Sequence, residues 1–279
     1  MIQQTLIDTV KSSLNEDRSL PFSVYCSVKE QHILNVPVVK PLFIAVLEGE
    51  KQLGSEGSIE CLAGDFIFLS DSPAINMRNI PSVKEYFALL IEFEPEDFVG
   101  IGVENVVKSS EISTNGYKNF TVGEISSKLE KCLQQFIEFS LYAPKSMWSL
   151  RRKELLQLLF HLGYRDVVAM ASSHKISQKI HTILNKQPAE EIPASVICQQ
   201  LAMSEATLRR KLNTEGTSIQ QIKDQVKLGL GLHLLQTSRY AIGYIAQQCG
   251  YQSQSRFSSR FKQRFGLTPS ELRKTRMID

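Results

Sequence analysis

An α+β chain in two parts is what this sequence predicts. An antiparallel β-barrel or sandwich followed by amphipathic helices occupies 1–170, and an all-α domain with two helix-turn-helix units occupies 171–279. Three observations carry that expectation. Short β-like runs fill the first hundred residues, the hydrophobic period changes after Pro95, and a helical unit overlays itself at a shift of 49 residues in the second part. The charge divides at the same place. Residues 1–170 hold 16 Lys+Arg against 22 Asp+Glu, a balance of −6, whereas 171–279 hold 16 against 7, a balance of +9. Solubility alone does not require such segregation, so the second part is the one expected to meet a polyanion.

The β runs are "FSVYCSV", "PLFIAVLEGE", "GSIECLAGDFIFLS" and "EYFALLIEF", rich in β-branched and aromatic residues and punctuated by Gly, Pro, Asn and Ser. Gly64-Asp65 reads as a tight turn between two of them. Beyond Pro95, Glu124–Leu141 places Ile125, Leu129, Cys132, Phe136 and Phe139 at helical spacing, and Ser146–Phe160 does the same with its leucines. If two copies pair, the face carrying Leu150, Leu155 and Leu158 is the expected seam. Lys29, Lys40, Arg78 and Lys84 are the cations of the β part that an anionic effector would meet.

Several function classes are excluded. No apolar run approaches the roughly 18 to 20 residues of a membrane span, and the first residues lack the apolar core of a secretory signal. That points to the cytoplasm. Cys26, Cys61, Cys132, Cys198 and Cys249 are scattered without a CxxC, as reduced packed thiols are. His32, His161, His174, His181 and His233 form no HxH, HxxxH or HExxH spacing. No nucleophile has a placed base, and no phosphate-cradling glycine loop is present. The expectation is therefore no enzyme, no metal and no cofactor.

In the repeat, Val196 and Ile197 fall on Ile245 and Ala246, Ser204 on Ser253, and Leu208 and Leu212 on Phe257 and Phe261. Each copy reads as a helix, a short turn, then a serine that N-caps a second helix. Gly216 and Gly266 suit the left-handed residue after a helix. Thr217 with Gln220, and Thr268 with Glu271, both fit a capping box, with Pro269 in the first turn. Helix, turn, helix in about 20 residues is the layout whose second helix enters the DNA major groove.

At roughly 100° per residue, Phe257, Phe261 and Phe265 face one way, with Ser255, Arg256, Ser259 and Lys262 roughly opposite. Leu208 and Leu212 likewise oppose Ala206, Thr207 and Arg210, with Arg209 at the edge. Ser204, Ser253 and Gln254 start the two helices. After Glu205 neither outer face carries an acid. Arginine pairs bidentately with guanine, small hydroxyls permit close approach, and lysine suits phosphate. Double-stranded DNA is the expected partner. The rival is a signal-sensing interaction protein whose basic domain binds a protein.

"IGYIAQQCGYQSQSRFSSRFKQRFGLTPSELRK" resembles the signature of the AraC/XylS family of bacterial transcription regulators. Ile242, Ile245-Ala246, Gly250-Tyr251, Ser253, Phe257, Phe261-Lys262, Phe265-Gly266, Thr268-Pro269 and Arg273 fall in register, and "LAMSEATLRRKLNTEGTS" fits the family's first helix-turn-helix. The tail is most similar to the branch that includes virulence and acid-stress activators. The resemblance implies a cupin-like effector and dimerisation domain before the DNA-binding domain, and a homodimeric activator that works with RNA polymerase. Its signal would be a small molecule or a regulatory protein. It also implies Ala206, Arg209 and Arg210, and Ser255 and Ser259, as base-facing residues; Arg256 is added from helical geometry. Two departures stand out. Lys227 occupies a linker position where the family often has Arg. Gly229 and Gly231, each costing about 1 kcal/mol in a helix interior, predict a bent or soft linker.

Overall fold

The computed structural model describes residues 4–14, 19–54, 57–70, 72–101, 120–170 and 175–276. The chain divides into two compact units. The first comprises Met1–Glu30, Lys40–Ser72 and Arg78–Ser172; the second comprises Gln31–Val39, Pro73–Met77 and Ser173–Asp279. The boundary expected at 170/171 adjoins 171–174, which lie outside the described residues.

After helix α1 (Gln4–Ser13) come eight strands: β1 (Ser23–Ser27), β2 (Gln31–Val38), β3 (Leu42–Glu48), β4 (Glu50–Leu53), β5 (Ile59–Leu62), β6 (Asp65–Leu69), β7 (Ser72–Ile80) and β8 (Tyr86–Glu92). A ninth, β9 (Phe120–Glu124), precedes α2 (Ser127–Ser140) and α3 (Trp148–His161), with a single turn, α4, at Asp166–Ala169. The strands form a five-stranded sheet, β1-β8-β3-β6-β9, and a four-stranded sheet, β2-β7-β4-β5. In the five-stranded sheet every pairing is antiparallel, with Val24 opposite Leu89, Ile44 opposite Leu90 and Ile67, and Ile67 opposite Val122.

β3 and β8 are buried on both faces, which is why they read as unbroken apolar runs rather than alternating ones. Phe43, Ala45 and Leu47 join Leu6 and Val10 of α1, Leu133 and Phe136 of α2, and Leu155 and Leu159 of α3 in one core. Ile44 and Val46 point to the opposite face, as alternation requires, and are also enclosed.

The four expected β runs fall on β1, β3, β5–β6 and β8. The Gly64-Asp65 turn forms as read, with Gly64 at φ +105° and Asp65 Oδ2 accepting from Leu62 N at 2.9 Å. Two expectations need correction. The segment opening at Glu124 is not helical there, because Phe120–Glu124 pairs with β6, and α2 begins only after Ser126, whose Oγ caps Leu129 N at 3.4 Å. Leu155 is fully buried in the first unit's own core, which removes it from any outward seam; Leu158 packs beside that core, and only Leu150, 56% exposed, faces outward.

The second unit contains α5 (Ile176–Leu184), α6 (Ala194–Gln200), α7 (Glu205–Thr214), α8 (Ile219–Thr237), α9 (Ile242–Gln248), α10 (Gln254–Phe265) and α11 (Pro269–Lys274). Strand β2 belongs here through its side chains. Gln236 Nε2 donates to Gln31 Oε1 at 3.0 Å, and Asn35 Nδ2 donates to the Arg264 carbonyl at 3.1 Å. Helix α8 runs unbroken for 19 residues. Gly231 has a packing reason: a Cβ there would lie 2.8 Å from the Phe257 ring and 3.3 Å from Cys249 Sγ. The glycine is a seat for a phenylalanine.

Candidate nucleic-acid interface

α6 with α7, and α9 with α10, are the two helical pairs. In the first, Ile197 and Cys198 of α6 and Leu208 and Leu212 of α7 are buried, and they share a cluster with Ile180, Ile222 and Val226. In the second, Ile245, Ala246, Phe257, Phe261 and Phe265 are all enclosed. The three phenylalanines follow one another along α10 in tilted and edge-to-face contact, with centroids 5.5 Å apart for Phe257–Phe261 and 4.5 Å for Phe261–Phe265, and Tyr251 adds an edge-on ring 5.4 Å from Phe257. Buried rings of this kind contribute stacking beyond their area. A rigid apolar spine thus backs the outer face of α10.

The repeat is not a uniform shift. Buried Ile197 and Cys198 correspond to Ile245 and Ala246 at a shift of 48, and Val196 is 37% exposed. The turns agree at the same shift: Met203 N donates to Cys198 O at 3.0 Å, and Tyr251 N to Ala246 O at 2.9 Å. The left-handed residue is Ala202 (φ +50°) in the first turn and Gly250 (φ +73°) in the second. The caps Ser204 and Ser253 then stand 49 apart, so Gln252 is the extra residue of the second turn. The ends agree with expectation at Gly216 (φ +71°) and Gly266 (φ +82°). Thr268 and Glu271 form the capping box, whereas α8 is capped by Ser218, whose Oγ accepts from Gln221 N at 3.2 Å, not by Thr217 with Gln220.

Ser204 Oγ accepts from Thr207 N at 3.2 Å and donates to Thr207 Oγ1 at 2.9 Å, and Ser253 Oγ accepts from Arg256 N at 3.3 Å. These hydroxyls are occupied in holding the helix starts. Ala206, Arg209 and Arg210 on α7 are exposed, and so are Gln254, Ser255, Arg256, Ser259 and Lys262 on α10. Arg209, Arg210, Arg256 and Lys262 form no ion pair with another described residue. The outer faces therefore present cations, amides and small hydroxyls, which is a phosphate-binding and base-edge chemistry.

Sequence reasoning missed Arg260. It stands at the margin of α10's outer face, and its Nη2 meets Asp224 Oδ2 of α8 at 2.6 Å while Nη1 donates to Gln263 Oε1 at 3.1 Å. Behind the first pair, Glu215 accepts from the N–H groups of Ile176 and Ser177 at the start of α5, at 2.7 and 2.9 Å. His181 Nε2 lies 2.9 Å from Gln225 Oε1, and burial pushes that imidazole down to about 4.

The four cations expected to meet an effector differ in setting. Lys29 and Lys84 are exposed. Lys40 pairs with Glu94 at 2.6 Å, and Arg78 pairs with Glu30 at 2.5 Å. Among the described residues of the first unit the buried cation is Lys51, which donates to Asn79 Oδ1 at 2.8 Å and lies 5.6 Å from the Tyr86 ring centroid. Burial lowers its ammonium to about 8. In "GEKQL" it reads as an ordinary solvated lysine; only sheet register turns it inward. Among the described residues no group of three or more His, Cys, Asp or Glu is placed to hold a metal, and no helix is long and apolar enough to cross a membrane.

Residues 197–275 match a family model described as a helix-turn-helix domain. Over 115 residues the chain is 31% identical to the urease operon transcriptional activator of Escherichia coli, covering 41% of this chain and 36% of that protein. Over 93 residues it is 33% identical to the HTH-type transcriptional regulator GadX of Escherichia coli, covering 33% of this chain and 34% of GadX. These matches thus span about a third of each relative's length. The DNA-binding dual transcriptional regulator Rns of Escherichia coli is 22% identical over 225 residues, 77% of this chain and 83% of Rns. In fold the chain is similar to an apo variant of ToxT from Vibrio cholerae, with a TM-score of 0.67 and 15% identity over 94% of this chain and all of that one. It is also similar to fatty-acid-bound ToxT, with a TM-score of 0.62 and 15% identity over 93% and 98% of the two chains. With two capped helical pairs and these relatives, residues 197–275 of the second unit form a helix-turn-helix domain similar to those of bacterial transcription regulators, and its signature in register resembles that of the AraC/XylS family.

Proposed function

We propose that this chain is a sequence-specific DNA-binding transcription regulator, an activator that inserts α7 and α10 into adjacent major grooves about one helical turn, ~34 Å, apart. The observation that carries this reading is the pair of capped helices, each with a buried apolar stripe and an outer face bearing unpaired cations and no carboxylate after Glu205. In this reading α7 reads bases through Arg209 and Arg210. α10, whose outer face is mainly serine, contributes more phosphate contact and shape reading.

The first unit receives the signal and pairs two copies through the outward side of α3 around Leu150. Activation then requires contact with RNA polymerase. The unsaturated fatty acid named for similarly folded ToxT is an acid with an apolar tail. A buried cation such as Lys51 is compatible with an anionic effector of that kind, which favours a small molecule over a regulatory protein as the signal.

The test is selection of duplexes from a random pool by the full chain, repeated with Arg210→Ala. The expected outcome is a preferred site and, in the variant, loss of roughly 1–3 kcal/mol of preference at one base position. Equal weakening on the selected site and on random duplex would show that α7 does not read through this arginine. A basic domain that instead binds a protein would select no duplex at all.

A further inference from the structure

Helix α8 connects the two helical pairs, and its fixings to them differ in kind. On the first pair it is held by burial: Ile222 and Val226 share a core with Leu208 and Leu212 of α7. Lys223 and Lys227 grip Glu191, ahead of α6, at 2.5 and 2.9 Å. On the second reading helix two points are visible. Phe257 sits in the notch left by Gly231, and Arg260 Nη2 bonds Asp224 Oδ2 at 2.6 Å. Gly231 and Asp224 are seven residues apart, two turns of α8 and roughly 10 Å along its axis on one face. Phe257 and Arg260 are one turn apart on α10. Two such points define a direction where one would define only a pivot.

We propose that Asp224 is a positioning residue for DNA recognition, fixing the angle of α10 on α8 and hence the half-site spacing that the domain accepts. The inference rests on the reading of α7 and α10 as recognition helices. Towards its C-terminal end α10 is held by buried Phe261 and Phe265 and by Asn35, whose Nδ2 donates to the Arg264 carbonyl at 3.1 Å. The ion pair adds a directional tie to α8 at the middle of α10, and Gln220 Nε2, which donates to Asp224 Oδ1 at 3.2 Å, holds the carboxylate in place. Asp224 also neutralises a cation at the edge of an otherwise acid-free face. A change there therefore has two separable effects. Losing one negative charge strengthens binding to every duplex alike, whereas losing the angular restraint alters the preference among spacings.

The experiment uses the full chain, its selected duplex, versions of that duplex with one base pair inserted or deleted between the half-sites, and a random duplex. The unsubstituted chain should prefer the selected spacing. In Asp224→Asn that preference should fall about 1.5-fold to fivefold, the range of an exposed ion pair, with the random duplex bound somewhat more tightly. The charge exchange Asp224→Arg with Arg260→Asp should restore the preference, which a merely structural loss would not permit. Thermal melts of each variant verify that the domain is folded. An Asp224→Asn protein whose affinities all rise by one common factor, with the spacing preference intact, would overturn the proposal. Failure of the unsubstituted chain to select any duplex would instead remove the DNA-reading assignment, and this inference with it.

Discussion

Arg209 and Arg210 on the first reading helix form no ion pair with a described carboxylate, whereas Arg260 on the second is held by Asp224. Their backing differs in the same sense. α7 rests on two leucines within an aliphatic cluster, and α10 on three phenylalanines in tilted and edge-to-face contact with a fourth ring from Tyr251. Both pairs thus present free cations, the first on aliphatic packing, the second together with small hydroxyls on an aromatic spine. In the proposed reading, the duplicated plan divides into a reader of base edges and a platform that sets position.

The largest way to break that division is to remove a ring. Phe261 is fully enclosed between Phe257 and Phe265. Phe261→Ala should cost about 3–5 kcal/mol in urea unfolding, against about 2–4 for Leu212→Ala, because the larger cavity loses stacking partners on both sides. Equal costs would mean that the aromatic spine adds no stiffness beyond its volume.

Acid distinguishes the halves next. His181, beside the first pair, is buried, with its Nδ1 lacking any hydrogen-bond partner, and its folded value of about 4 lies below the ordinary 6.5. Between those two values the unfolded chain binds a proton that the folded imidazole refuses. Stability is therefore full above about pH 6.5 and declines as pH falls towards 4, by roughly 3 kcal/mol from this group. His181→Gln should flatten that slope in denaturant titrations across the window. A slope unchanged by the substitution would place the acid sensitivity elsewhere.

Much of the second unit is legible in the sequence because its signals are local. Caps at Ser204, Ser253 and Thr268, glycines after α7 and α10, and the four-residue phenylalanine stripe each follow from neighbours in the chain. The 48-versus-49 offset escapes because Val196 and Ile197 are both apolar, and only burial shows which of them faces inward. The first unit is less readable for a related reason. "QHILNVPV" and "SPAINMRNI" form β2 and β7 although each carries a proline and polar residues that weaken the strand signal. Lys51, Asp224 and Arg260 matter through partners 28 and 36 residues away, which periodicity does not reveal.

The finest contrast lies in the two turns. Both need a left-handed residue, and the second supplies glycine where a Cβ would lie 2.4 Å from the Ala189 carbonyl oxygen. Gly250→Ala should therefore destabilise the domain by roughly 1–3 kcal/mol, through strain together with a backbone clash. The first turn places Ala202 at φ +50° with its side chain exposed. An L-residue there carries about 1–2 kcal/mol of left-handed strain, and glycine relieves it while adding about 0.4–1 kcal/mol of unfolded-state entropy. The difference is small and favourable, so Ala202→Gly should stabilise the domain by roughly 0.5 kcal/mol in denaturant melts. A loss of stability instead would show that the methyl group makes a contact worth more than the strain, and that the two turns are not equivalent at this position.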